Sequence, residues 1–188
     1  MKEVRAFIET IAPMNDADWQ FFSSKLQQAK LKKNTPLLKI GAVENHLSFI
    51  VEGIVRLYIP KDELDLTFGF VFKNEFVTAY DSLLTQLPSA YQIETLTETV
   101  LWQISKKDLQ EVYQKTSSGN LIGRKMAENK FLIKSKRELS LLNKTAEERY
   151  LDLFSERPLL LKQIPLKYIA SYIGITPQAL SRIRKRIS

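Results

Sequence analysis

The chain has 188 residues, 44% apolar and 26% charged, with a net charge of +7. That composition fits a soluble globular protein of one large or two small domains. It contains no cysteine, which excludes disulfides, thiolate zinc sites and cysteine-held iron–sulfur clusters. Its one histidine, His46, leaves no imidazole cluster for a metal and reads as a polar loop residue after Gly41 rather than a haem ligand. No apolar run approaches the roughly 18 residues of a membrane helix, and Met1-Lys-Glu-Val-Arg5 lacks the apolar core of a signal peptide. A cytoplasmic protein without a membrane partner is expected.

In chain order, Asn15 and Asp18 predict an N-cap and acidic first turn. The helix they open carries Trp19, Phe22, Leu26 and Ala29 at a 3.6-residue period. From Thr35 to Ile104 the pattern changes to short apolar segments: 37–40, 47–51, 54–59, 64–72, 76–79, 92–96 and 100–104. Breaks at Gly41, Glu52-Gly53, Lys61-Asp62 and Leu87-Pro88 separate them, which predicts a compact antiparallel β-roll or barrel filled by aromatics such as Phe49, Phe70 and Trp102.

A helical run from about Lys106 to Leu142 follows. Within it Ile122, Met126, Asn129 and Ile133 recur at coiled-coil-like spacing, a candidate dimerisation seam in which Asn129 would fix register. Leu132, Leu139 and Leu142 fall on a different stripe that could pack on the body of the domain. A second helix opens at the N-cap Thr145, with Glu147 and Glu148 in its first turn, and Pro158 closes it.

The segment from Pro165 reads as a helix-turn-helix. Ala170 is small enough for a close helix crossing and Gly174 can reach the left-handed region that a tight turn needs. Ile169, Ile173, Ile175, Leu180 and Ile183 fall on inward positions, and Thr176 and Pro177 supply an N-cap and first-turn proline. The outward face then carries Gln178, Ser181, Arg182, Lys185 and Arg186, polar and cationic groups suited to a DNA major groove, with Thr176 at the start of the helix and Lys167 as further DNA contacts. Charge agrees. Residues 119–188 hold 15 Lys and Arg against 6 Asp and Glu, net +9, whereas residues 1–118 hold 13 against 15, net −2.

The stretch from Ile169 to Lys185, IASYIGITPQALSRIRK, resembles the helix-turn-helix of the Crp/Fnr-type bacterial transcription regulators, and the likeness extends upstream over most of the chain. The resemblance implies an α+β chain: a cyclic-nucleotide-binding-like β-roll with flanking helices (1–116), a long dimerisation helix (117–142) and a helix-turn-helix domain (143–188). It further implies a homodimer on double-stranded DNA, and leaves RNA polymerase and a small-molecule effector as further candidate partners. Members usually continue into a β-hairpin wing; with Ser188 the last residue, the wing is expected to be short, absent or lost.

Nucleotide-binding members hold the ligand with a Gly-Glu pair and an Arg-Ser or Arg-Thr pair. Here the first looks like Asn74-Glu75. Counting back from Leu96 in the segment Leu96-Thr-Glu-Thr-Val100 places Ser89-Ala90 at the second. Glycine and arginine are both gone. A phosphate without a paired cation meets a heavy desolvation cost, so cyclic AMP and cyclic GMP are not expected as effectors, and Glu75 is left a structural or capping carboxylate.

Nothing points to catalysis. The sequence has no phosphate-cradling glycine loop, no Gly-x-Ser-x-Gly elbow and no His-Glu-x-x-His, while Asp62, Glu63 and Asp65 read as an exposed turn. The expectation is a non-enzymatic, sequence-specific DNA-binding regulator. The alternative is a ligand-binding or protein-interaction module of the same fold without DNA function.

Overall fold

The structure, a computed structural model, describes residues 1–187. These fall into two compact units, Met1–Leu57 with Phe70–Lys130, and Tyr58–Gly69 with the chain from Phe131 onward.

The first unit opens with α1 (Lys2–Glu9) and α2 (Asp16–Ser24). Asn15 caps α2 by accepting the Asp18 N–H at 2.8 Å. The helix stops before Ala29, which the periodicity had placed on it. Gln27–Leu31 instead forms β1, and Ala29 pairs with Leu101, because the ladder to a partner strand outweighs a local helical pattern.

Strands β2 (Pro36–Leu38), β3 (His46–Glu52), β4 (Val55–Ile59), β5 (Leu66–Val71) and β6 (Phe76–Val77) precede a one-turn helix, α3 (Tyr80–Thr85). Then come β7 (Gln92–Thr95), β8 (Thr99–Ser105) and α4 (Lys106–Lys115). Two four-stranded sheets result, ordered β1-β8-β3-β6 and β2-β7-β4-β5, with β1 and β3 both antiparallel to β8. This is the antiparallel β-roll expected from the turn-punctuated segments. His46 begins β3, opposite Ser105, rather than lying in the preceding loop. Gly53 makes the β3–β4 turn at φ +102°, where a Cβ would lie 2.4 Å from the Thr99 Oγ1.

One apolar core fills the roll, from Leu38, Ile50, Val55, Ile93 and Leu101 among others. A second joins the helices to the outer sheet through Val4, Ile8, Phe22, Phe49, Phe76, Ile104, Val112 and Ile122. Phe7, Phe49 and Phe76 meet edge to face, with centroids 4.9 to 5.6 Å apart.

The predicted run from Lys106 to Leu142 is broken at residues 116–118, where α4 ends and α5 (Gly119–Asn143) begins. Asp18 causes the break. One of its carboxylate oxygens accepts from the Ser117 N–H and hydroxyl at 2.9 and 2.6 Å and from the Ser118 N–H and hydroxyl at 3.3 Å, capping the start of α5 from another element.

The second unit holds the C-terminal half of α5, then α6 (Ala146–Glu156), α7 (Pro158–Gln163), α8 (Leu166–Tyr172) and α9 (Pro177–Ile187). Thr145 and Glu148 cap α6 reciprocally as a capping box. Pro158, expected to close α6, also sits at the first position of α7.

Candidate nucleic-acid interface and sensor cassette

α8 and α9 form the expected helix-turn-helix. Ile169 and Ala170 are fully buried, Ile173, Leu180 and Ile183 nearly so, and together they pin the two helices to each other and to the unit. α8 ends in a Schellman turn: Ile175 donates to the Ala170 carbonyl at 3.0 Å and Gly174 to that of Ser171 at 3.1 Å. Gly174 has φ +80°, the conformation the turn requires. Thr176 caps α9 by accepting the Ala179 N–H at 3.2 Å, and Pro177 occupies its first turn.

Gln178, Ser181, Arg182, Lys185 and Arg186 are all exposed. Their spacing of three, four, seven and eight residues puts them on one face of α9, opposite Leu180 and Ile183. Two are engaged within the chain: the Ser181 hydroxyl donates to the Pro177 carbonyl at 3.1 Å, and Arg186 pairs with Glu147 of α6 at 2.5 Å. Lys167 is exposed at the first turn of α8, its ammonium 4.8 Å from the centre of the Tyr168 ring.

The sequence did not reveal what holds α8. Arg137 of α5 lies 4.1 Å from the Tyr172 ring centre and donates to the Tyr172 carbonyl at 2.9 Å. Arg149 of α6 donates to the Ile173 carbonyl at 2.9 Å and to that of Lys144. Both satisfy carbonyls that a helix end leaves orphaned. Burial, together with Arg157 and Arg149 nearby, pulls the Arg137 guanidinium below its ordinary value. Ser171, on the same turn, is buried against residues 65–67 of the β4–β5 hairpin.

In the first unit, Asn74 and Glu75 lie in the turn between β5 and β6. Asn74 has φ +64°, a region that asparagine tolerates better than most residues, which keeps the turn without a glycine. Glu75 accepts the Phe72 N–H at 3.1 Å and so ties the turn to itself. Ser89 is buried, its hydroxyl donating to the Tyr91 carbonyl at 2.9 Å, and Ala90 is exposed. The hydrogen bonds of the two pairs run to different places: Asn74 and Glu75 to Ile50 and Phe72, Ser89 to Gly41, Ala42 and Tyr91.

A residue the sequence did not flag braces this region. The Glu44 carboxylate, 8% exposed, accepts the N–H groups of Asn45 and His46 at 3.0 and 2.9 Å and that of Ala79 at 3.3 Å, just ahead of α3. The Ser82 hydroxyl accepts the Glu44 N–H, and the Gln86 amide donates to the Glu44 carbonyl. Tyr91 donates to Asp81 at 2.7 Å, and burial with that carboxylate raises its phenol well above the ordinary value. The bonds from Glu44 to Ala79, Ser82 and Gln86 join segments far apart in the chain, which a reading of local sequence does not see.

Along α5, Ile122 is 6% exposed and, with Met126, packs into the core of the first unit; Asn129 and Ile133 are exposed. The opposite stripe is open. Leu132, Leu139 and Leu142 are 64%, 56% and 74% exposed, with Phe131 beside them. They do not pack on the body of the domain, the use the sequence left open for them.

Residues 28–116 match the cyclic nucleotide-binding domain family. Comparison with curated proteins in sequence finds no match. Among solved structures, the c-di-GMP-responsive global regulator CLP of Xanthomonas campestris is 18% identical, with 92% of this chain and 91% of that one covered at a TM-score of 0.69. FixK2 of Bradyrhizobium japonicum is 16% identical over 86% and 84% at a TM-score of 0.72. The catabolite activator protein of Thermus thermophilus is 18% identical over 94% and 85% at 0.58.

Proposed function

We propose that this chain, which carries a cyclic nucleotide-binding domain and has the fold of the Crp/Fnr-type regulators, is a homodimeric, sequence-specific DNA-binding transcription regulator. The observation that carries the reading is α9. Gln178, Ser181, Arg182 and Lys185 stand exposed on one face of a helix whose other face and preceding turn are fixed by burial, capping and the Schellman turn. A rigid helix offering amide, hydroxyl, guanidinium and ammonium groups matches the base edges and phosphates of a major groove.

The dimer forms along α5, but its seam shifts from the stripe the sequence favoured. Ile122 and Met126 serve the core of their own unit, so the contact falls to Leu132, Leu139 and Leu142, whose spacing of seven and three residues is a heptad seam. Exposed leucines in that pattern are costly unless a second helix covers them. The sensor works without cyclic AMP or cyclic GMP. Support comes from the neutral Ser89-Ala90 pair and from Glu44, which places a carboxylate where α3 begins.

Selecting bound duplexes from a random pool, followed by mobility shifts at several salt concentrations, tests the function. Enrichment of a pseudo-palindrome with half-sites roughly 34 Å apart, bound more weakly as salt rises, is the expected result. No enrichment would favour the protein-interaction alternative.

A further inference from the structure

The carbonyls that end α8 are all taken, but not all by backbone. Those of Ile169, Ala170 and Ser171 accept the N–H groups of Ile173, Ile175 and Gly174 at 3.0 to 3.1 Å. The next two are served by side chains: Arg137 of α5 donates to the Tyr172 carbonyl and Arg149 of α6 to that of Ile173, both at 2.9 Å. Arg149 also donates to the Lys144 carbonyl, so its planar fork ties the end of α8 to the residue ahead of the α6 cap. All of these residues belong to the second unit.

Neither arginine spends its charge on a carboxylate. Lys136 and Lys144 pair with Glu156 and Asp152, whereas Arg137 and Arg149 make no ion pair among the described residues. Charge-assisted bonds to carbonyls are stronger than neutral ones, and breaking one here strands an acceptor under the turn, where Ile173 is 2% exposed. Water reaches that acceptor only if the turn opens. Gly174, Ile175 and Thr176 are all that separate this end of α8 from α9, so a shift at Ile173 re-aims the helix that follows. Groups that read a ligand need to be held within about 0.5 Å by the bonds behind them.

We infer that Arg137 and Arg149 are positioning residues for base reading. They set the angle at which α9 leaves the turn without touching DNA themselves, and so govern discrimination between sequences rather than attraction to DNA. The output rests on the DNA-binding reading above; the hold on the turn does not.

Fluorescence anisotropy of the full chain with a selected and a scrambled duplex, across a salt series, tests the output, and hydrogen exchange without DNA tests the hold on the turn. Arg137→Leu and Arg149→Leu should each lower the ratio of selected to scrambled affinity about tenfold and leave the salt slope unchanged. Arg137→Lys, which keeps a donor for its one carbonyl, should restore most of the ratio. Arg149→Lys should not, because an ammonium lacks the fork that joins two carbonyls. Exchange of the Ile175 amide should speed about tenfold in both leucine variants, while that of Leu153 within α6 stays within about twofold of the parent. An unchanged ratio overturns the inference, and so does a loss on both duplexes with the salt slope lowered by about one unit, which would make the arginines phosphate anchors. If a leucine variant does not fold, Arg149→Lys decides, and a ratio equal to the parent's overturns the inference. Ile175 exchange within about twofold of the parent overturns the hold on the turn whatever the DNA result. A parent that binds no duplex defeats the regulator reading instead, and exchange alone then decides whether the arginines fix the turn.

Discussion

Arg182→Ala separates base reading from phosphate attraction. Arg182 is exposed on α9 and makes no ion pair among the described residues, so its removal leaves the fold intact and its whole effect falls on binding. A planar fork on guanine O6 and N7 discriminates by about 1 to 3 kcal/mol, so affinity for the selected site should drop about 5- to 150-fold and preference should flatten at one base pair. Lys185→Ala should weaken all sequences alike and lower the salt slope by about one unit. Arg186→Ala should do less than Lys185→Ala, because Arg186 must first leave Glu147. Fluorescence anisotropy with the selected duplex and a scrambled one, across a salt series, measures all three. Equal weakening of both duplexes by Arg182→Ala, with preference intact, would show that Arg182 is an anchor and that the reading face is misassigned.

Calorimetry with cyclic AMP and cyclic GMP should detect no binding, and a micromolar dissociation constant for either would sink the degenerate-sensor reading. Leu139→Glu should convert a micromolar dimer to monomer in sedimentation without lowering the monomer's stability, whereas Ile122→Ala should cost about 2 to 4 kcal/mol of stability because that side chain is core; a dimer surviving Leu139→Glu places the seam elsewhere. Gly174→Ala should cost about 1 to 2 kcal/mol in urea unfolding from backbone strain alone, since the added Cβ would find its nearest neighbour at 3.7 Å; no loss would mean the turn relaxes. The serine hydrogen bonds hold Asp18 below its ordinary 3.8 in the folded state. Its contribution is therefore present above that pH and lost as pH falls through the lowered value, so Asp18→Asn should cost about 1 to 3 kcal/mol at neutral pH and flatten the acid limb of the stability curve. An unchanged acid limb would assign the acid sensitivity to other carboxylates.

The helix-turn-helix was legible in the sequence because its determinants are local. A cap, a first-turn proline, a small residue and a turn glycine lie within eight residues, and each fixes geometry through its own backbone. The β-roll was legible as a pattern of short segments, but its edges were not. Gln27–Leu31 carries a helical spacing that only the ladder to β8 overrides, and α1 and α3 lacked the length for a periodic signal. α5 shows the limit most clearly. It carries two apolar stripes, and sequence spacing cannot tell which one meets its own core. The core that Ile122 and Met126 share with Val4 and Phe22 decides it, and it joins residues about a hundred positions apart.

Under the regulator reading, the polar groups around α3 bear on which ligands the β-roll could take. A ligand shifts a conformational equilibrium only as far as its affinities for the two states differ. Around α3 polar groups are already engaged within the chain: Glu44 accepts the Ala79 N–H, Ser82 accepts the Glu44 N–H, Gln86 donates to the Glu44 carbonyl, and Tyr91 donates its hydroxyl to Asp81. A cyclic nucleotide entering there would have to break these bonds while bringing a phosphate to a site with a neutral Ser89-Ala90 pair. The desolvation cost of that phosphate would have no paired cation to offset it.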